Sequence, residues 1–295
     1  MNNINVILNI PYKKDEPLSL HTGFRTGGNA DYMLFPESKE QLINTIKILR
    51  TEELPFFVLG NGSNILATDV GYRGFVIKTA MALDYLEFSD GKVRCGAGKQ
   101  LSFLCSECAR QGLSGLEFAF GIPGTVGGAV FMNAGAYGGE MKDVVHSVTV
   151  LDKSGDIFEL SNDQMNFKYR SSIAQSGEYV ILDAEFSLSH KDRETIQSNM
   201  NELMQRRRDK QPLDMPSCGS TFKRPPGAFA SKLIDECGLR GFSVGGAQVS
   251  EKHCGFVVNK GGASSDDILS LVEQIQTTVK QKTGFELECE IRILK

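Results

Sequence analysis

Between Gly115 and Gly139 the chain places eight glycines among apolar and small residues, with almost no charge. A surface loop would be polar, and a core strand or helix would not tolerate so much backbone freedom. Glycine-rich backbone kept apolar suits a main chain that presses against a large flat ligand, with bare N–H groups taking over as donors. The stretch therefore predicts a buried, mostly aromatic cofactor that carries phosphates.

A chain of 295 residues can hold two or three domains and bury a sizeable core. Its formal net charge of -4 gives no global attraction to nucleic acid or to an anionic membrane, so neither is expected as a partner. Residues 1–20 hold only a short apolar run, Val6 to Ile10, followed by Lys13-Lys14-Asp15-Glu16. That is neither a signal peptide nor a membrane span, and no later stretch reaches spanning length. Seven cysteines, an odd number in a large chain, argue against a secreted disulfide framework and for a reducing, cytoplasmic setting. Cys105 and Cys108 have the spacing of half a zinc site, but no second pair completes four ligands. They read as core thiols on a helix over 99–111, and no metal is expected.

The pattern along the chain is mixed. Ser38 to Gln41 forms a capping box before Leu42, Ile43, Ile46 and Leu49 at helical spacing. A strand over 55–59 runs into Gly60-Asn-Gly-Ser-Asn64, and a second follows at 74–77. Short strands at 93–95, 148–151 and 179–182 surround one helix and the glycine-rich stretch. A helix spans 192–210, with Ile196, Met200, Leu203 and Met204 on one face. Beyond Pro212 and Pro216 helices are expected at 227–237 and 265–282, closed by Gly238 and Gly284, with a strand at 255–259 and a last one at 286–294. The chain reads as an α+β protein of about three pieces.

Several motifs carry chemistry. The loop Gly60-x-Gly after a strand invites a dinucleotide-fold reading, but Ile65 stands where a third glycine should be and no helix follows. As a tight loop aiming amides, Ser63 and Asn64 at a pyrophosphate it reads well. Cys218-Gly-Ser-Thr-Phe-Lys223 is no nucleophile elbow, since Phe222 replaces the second glycine, and no His-Asp pair stands at readable spacing. The run Gln205 to Lys210 is either a solvated cationic helix end or a grip for phosphate. Glu286, Glu288, Glu290 and Arg292 fall on one face of the last strand.

Taken together, His21-Thr-Gly-Phe-Arg-Thr-Gly-Gly28, Gly60-Asn-Gly-Ser-Asn64, Gly121-Ile-Pro-Gly-Thr-Val-Gly-Gly128 with Met132-Asn-Ala-Gly-Ala-Tyr137, Tyr169-Arg170, Gly219-Ser220 and Gly245 to His253 resemble one family. It is that of the FAD-dependent UDP-N-acetylenolpyruvoylglucosamine reductases of bacterial cell-wall synthesis. The compact region from Ser220 to Glu290 resembles the shorter class, which lacks an extra segment over the substrate. The resemblance implies a two-piece FAD-binding module of the flavin-oxidase type plus a C-terminal α+β substrate-binding domain. The pieces would be residues 1–79 with 285–295, residues 80–192, and residues 193–284.

It also implies a reaction. NADPH reduces a non-covalent FAD, NADP⁺ leaves, and the enolpyruvyl ether of UDP-N-acetylglucosamine becomes the lactyl ether of UDP-N-acetylmuramate. Arg170 matches the cation that stabilises the enolate-like intermediate, Ser220 the proton donor, and Glu290 the glutamate that assists, protonated at least in part beside a dianion. Gly60, Asn61, Gly62, Ser63, Asn64, Gly121, Ile122, Pro123, Gly124, Thr125, Gly127, Gly128, Asn133, Gly135 and Ala136 match the cofactor segments. Tyr169, Lys210, Lys223 and His253 match contacts to a sugar nucleotide. Arg224 departs from the family's usual Asn, which leaves a substrate contact there open, and Cys289 stands where proline is common. A monomer is expected. The alternative is a non-covalent FAD-dependent oxidase of the same fold; residues 55–75 contain no His to tether a flavin. A non-catalytic nucleotide binder is a further rival, opposed by the presence together of Arg170, Ser220 and Glu290.

Overall fold

A computed structural model describes residues 9–89 and 92–295; most of the apolar run Val6 to Ile10 lies outside them. The chain forms two compact units. One takes the chain up to Lys13 with Tyr32–Asn61 and Gly74–Arg206, and the other takes Lys14–Asp31, Gly62–Arg73 and Arg207–Lys295.

The first unit is built on a five-stranded antiparallel sheet, in the order Ile157–Ser161, Val145–Leu151, Val180–Ser187, Lys92–Gly96, Leu86–Ser89. Alternation along these strands separates two faces. Val93, Cys95, Val148, Val150, Ala184 and Phe186 point to the core and are fully buried. Against them packs the helix Leu101–Arg110, which buries Leu101, Leu104, Cys105, Cys108 and Ala109 at helical spacing. Both expected core thiols are thus in the apolar interior, and burial pushes the Cys108 thiol up to about 12.

The opposite sheet face carries charge. Asp183 accepts from Arg94 at 2.8 Å, from the Thr149 hydroxyl at 2.7 Å, from the Tyr85 hydroxyl at 2.6 Å and from Lys39 Nζ at 3.2 Å. Arg94 also pairs with Glu185, its direct cross-strand partner, and with Glu159. Burial raises the Asp183 carboxyl, but the Tyr85 and Thr149 hydroxyls and Lys39 outweigh it and hold the group below the usual carboxylate range.

Lys39 begins the helix Lys39–Thr51, capped as expected by Ser38, whose hydroxyl accepts from Gln41 N–H at 3.2 Å. The return bond from Gln41 goes one residue further back, to Glu37 N–H at 2.8 Å, so the box is displaced rather than closed on Ser38. In the helix Arg193–Lys210, Ile196 and Met200 are buried while Leu203 and Met204 are half-buried.

The second unit has its own core, with Phe24, Leu66, Phe222, Ile234, Val249, Val257, Ile268, Leu271 and Ile275 among its members. The helix Ser265–Thr283 carries a complete capping box of Ser264 and Asp267 and ends at Gly284 in the left-handed region, φ 77°. The expected helix over 227–237 is shorter, Ala230–Glu236. Pro225 and Pro226 set up a turn, and Gly227 at φ 75° cannot be helical.

The last expected strand is shorter still, because only Arg292–Leu294 forms one, parallel to Ile65–Ala67. Residues 286–291 are irregular apart from a single bridge of Cys289 to Phe222. Leu287 and Ile291 are both buried, on the side opposite the even-numbered charges as a period of two requires, but the segment pairs with a neighbour only at Cys289 and so is extended without being a ladder strand.

Asp183 contributes most above the ordinary carboxylate range near pH 4, and loses its contribution as pH falls through its lowered folded value. Asp183→Asn is expected to cost roughly 2 kcal/mol at neutral pH, below the ~3–5 kcal/mol of a fully buried pair. The discount reflects the 30% and 32% exposure of the Arg94 and Lys39 side chains. Urea midpoints measured from pH 7 to pH 3 should show the variant converging on the parent as acid is approached. Equal midpoints at pH 7 contradict this.

Candidate active site

In the first unit two glycine-bearing segments meet at Thr125. This residue caps the short helix Val126–Phe131, its hydroxyl accepting from Gly128 N–H at 3.3 Å. A Cβ on Gly60 would stand 2.5 Å from Thr125 Oγ1, and one on Gly127 would stand 2.7 Å from the Ala97 Cβ. Gly127 N–H donates to Ala97 O at 2.9 Å, and Leu101 N–H to Gly124 O at 3.1 Å. Further on, a Cβ on Gly139 would meet the Phe118 ring at 2.6 Å. Several glycines of the stretch are therefore required by protein packing on themselves, which sharpens the expectation that they all serve a ligand. Gly138, with no neighbour within 4 Å of a Cβ, is one that packing does not explain.

The strand Phe56–Leu59 lies parallel to Tyr72–Lys78, with Leu59 opposite Lys78. That register brings Lys78 Nζ to within 2.5 Å of Gly60 O, to which it donates. Burial pulls this ammonium down to about 8. The loop that follows leads into the short strand Ile65–Ala67 rather than a helix, which excludes the Rossmann reading.

Asn133 is fully buried at φ 42° and its side chain is committed to protein: it donates to Glu140 at 2.9 Å and Lys168 O at 3.0 Å, and accepts from Lys142 N–H at 2.9 Å. It thereby shapes the turn that leads to the paired segments Gly135–Ala136 and Gly139–Glu140. Arg170, itself at φ 54°, donates to Gly135 O at 2.9 Å, and its guanidinium lies 4.9 Å from the centre of the Tyr169 ring. Gln175 holds the backbone on both sides, donating to Arg170 O and Phe131 O at 3.0 Å each. Arg170, Tyr169, Gly135 and Ala136 are thus one local cluster. Ile122 N–H closes a turn on Ala119 O at 2.9 Å, next to Gly121 and the exposed Pro123.

In the second unit Gly62 is buried at φ 63°, and a Cβ there would stand 2.1 Å from His21 O. Asn64 donates through its side-chain amide to Glu290 O at 3.1 Å, while its carbonyl accepts from Arg292 N–H at 3.0 Å. Glu290 N–H donates to Thr221 O at 2.8 Å, and Lys223 N–H to Glu288 O at 2.8 Å, on either side of the Phe222–Cys289 bridge. Glu290 is therefore seated opposite the residue that follows Ser220. Thr221 is fully buried and locked, its N–H donating to Gly255 O at 2.8 Å and its hydroxyl accepting from Val257 N–H at 2.9 Å. Ser220, after Gly219 at φ 75°, is exposed.

His253 Nδ1 accepts from Gly255 N–H at 3.2 Å, which leaves Nε2 as the donor of a neutral ring. Burial, then the positive charges of Arg240 and Lys210, hold the imidazole below its usual range. The Lys210 ammonium is thus near enough to His253 for its charge to be felt by the ring. Lys223 pairs with the Glu288 carboxylate at 2.5 Å. Arg224 stacks over Phe229 at 3.9 Å from the ring centre. Sequence reasoning missed Thr221, which no periodicity marks, and Lys78, whose signal was a cation closing the apolar run Phe75-Val-Ile. Among the described residues no group of three or more His, Cys, Asp or Glu is placed to hold a metal ion. Nor is any helix long and apolar enough to cross a membrane.

Two family models match the chain: an FAD binding domain over residues 30–161 and the C-terminal domain of UDP-N-acetylenolpyruvoylglucosamine reductase over residues 211–294. The UDP-N-acetylenolpyruvoylglucosamine reductase of Clostridioides difficile is 51% identical over 294 residues, covering 100% of this chain and 97% of its own length. That of Caldanaerobacter subterraneus subsp. tengcongensis is 51% identical over 280 residues, covering 95% and 92%. The crystal structure of the Thermus caldophilus UDP-N-acetylenolpyruvylglucosamine reductase superposes with a TM-score of 0.81 at 36% identity, covering 97% of this chain and 99% of that one. With an FAD-binding domain, a reductase C-terminal domain and full-length likeness to both relatives, this chain is an FAD-binding oxidoreductase and belongs to the UDP-N-acetylenolpyruvoylglucosamine reductase family.

Proposed function

We propose that the protein reduces the enolpyruvyl ether of UDP-N-acetylglucosamine to the lactyl ether with electrons from NADPH, giving UDP-N-acetylmuramate for peptidoglycan precursors. What carries this reading is the seating of Glu290 on Thr221 at 2.8 Å, one residue from Ser220, in a chain 51% identical to such reductases over its length. We assign the functional pieces as residues 1–79 with 285–295, residues 80–192 and residues 193–284. The reaction takes place in the cytoplasm, on a monomer, with no nucleic acid or membrane partner.

The chemistry FAD supplies when bound, non-covalently, is hydride transfer from NADPH to the terminal methylene carbon of the substrate. Its contacts are the segments Gly60–Asn64, Gly121–Gly128 and Asn133–Ala136. They fit an anionic dinucleotide because Asn61 makes no hydrogen bond to any described residue and Lys78 places a cation beside Gly60. Hydride addition leaves an electron pair on the carbon next to the substrate carboxylate, delocalised as an enolate. Arg170 stabilises that charge, since a planar, permanently ionised fork suits a carboxylate. The Ser220 hydroxyl then delivers its proton to the carbanionic carbon, which completes the saturated ether. Glu290 acts in its protonated form, because a second anion beside the enolate would be repelled. Lys210, His253 through Nε2–H, Lys223 and Tyr169 hold the sugar nucleotide.

Ser220→Ala should leave flavin reduction by NADPH at the parental rate while lowering turnover by ~10²–10⁴-fold, or roughly 3–5 kcal/mol. Stopped-flow absorbance of each half-reaction separates the two effects, and unimpaired turnover sinks the assignment. Glu290→Gln keeps a hydrogen-bond donor and should retain clearly more turnover than Glu290→Ala. Equal losses in the two variants would contradict the protonated role.

A further inference from the structure

In the first unit Lys78 is a cation that takes no part in the proposed hydride and proton transfers. Lys78 ends the strand Tyr72–Lys78, and its ammonium is drawn toward the glycine loop by the parallel pairing with Leu59. An ammonium carries three N–H donors. Among the described residues this one meets a single acceptor, the carbonyl oxygen of Gly60 at 2.5 Å. Among the described residues no carboxylate stands near enough to offset its burial, which pulls the group down to about 8. A half-buried lysine left with spare donors is costly unless something anionic completes it. The carbonyl it meets belongs to a tightly packed turn: Asn61 follows Gly60, and a Cβ on Gly60 would stand 2.5 Å from Thr125 Oγ1. Phe75, Val76 and Ile77, the preceding strand residues, are all buried, so the side chain is anchored at its root by a rigid strand.

We propose that Lys78 is a cofactor-binding residue whose ammonium pairs with the diphosphate of FAD at the first glycine loop, while its bond to Gly60 O holds that loop open to the ligand. The inference rests on the FAD reading and adds to it a specific cation. A backbone loop alone recognises a diphosphate through dipoles; a lysine adds a full charge at the point where the chain turns.

The test titrates flavin-stripped, full-length protein with FAD and with riboflavin, which lacks the diphosphate, and follows the quench of flavin fluorescence. Lys78→Gln keeps a donor for Gly60 O but removes the charge, and Lys78→Arg keeps the charge. Charge-assisted hydrogen bonds of this kind correspond to about 10- to 100-fold in affinity. Lys78→Gln should therefore weaken FAD by at least about tenfold and leave riboflavin unchanged, with Lys78→Arg close to the parent. Should Lys78→Gln prove unfolded by circular dichroism, Lys78→Met, matched in its apolar stem, carries the same comparison. Parental FAD affinity in the neutral variants overturns the proposal, and so does an equal loss of FAD and riboflavin, which would mark a merely structural tie. A parent protein that binds no FAD at all would instead overturn the reading on which the proposal rests.

Discussion

A Cβ on Gly62 would stand 2.1 Å from the carbonyl oxygen of His21, and one on Gly60 would stand 2.5 Å from the Thr125 hydroxyl. The candidate residues of each unit depend on these approaches of main chain to main chain and cap. In the first unit, contact at Thr125 fixes where the loop after Leu59 lies relative to the helix Val126–Phe131. In the second, contact at His21 fixes the turn from which Asn64 reaches Glu290. No side chain, however small, preserves such distances, so glycine here is a packing requirement before it is a ligand-binding one.

This changes what a glycine-rich apolar stretch means. Its low polarity and backbone freedom were legible, and they pointed to a flat phosphate-bearing cofactor. The sequence could not show that Gly127 rests on Ala97 and Gly139 on Phe118, because those partners lie far away along the chain or depend on the course of a turn. Periodic elements were read well: the helix Leu101–Arg110 and the core strands follow from burial at periods of 3.6 and 2. The last strand is shorter than its alternation implies, because alternation shows which side is buried and not whether a neighbouring strand pairs with it. Leu287 and Ile291 are buried as that alternation requires, yet only Arg292–Leu294 finds a partner, in Ile65–Ala67. Asn64 and Asn133 match the cofactor segments by motif position, and the fold adds that each donates its side-chain amide to the protein, so that what either offers a ligand there is main chain. A motif marks where a residue stands, and only the fold shows which way its donors are used.

Electrostatics divides the chain's charges into two kinds. On the outer face of the five-stranded sheet, Arg94, Lys39 and Asp183 satisfy one another and serve stability. Elsewhere in each unit, charge is less fully matched. Lys78 faces a carbonyl, and His253 is kept neutral by burial beside Arg240 and Lys210. Groups displaced in this way are the ones that an anionic ligand would complete.

The central claim is that electrons pass from NADPH through a flavin held by this chain to an enolpyruvyl sugar nucleotide. An anaerobic titration tests it most directly. NADPH is added until the flavin absorbance is bleached, and the enolpyruvyl ether of UDP-N-acetylglucosamine is then supplied. The account predicts that the flavin colour returns in proportion to added substrate, with a product heavier by two hydrogen atoms. A flavin that stays reduced after the sugar nucleotide is supplied would contradict it.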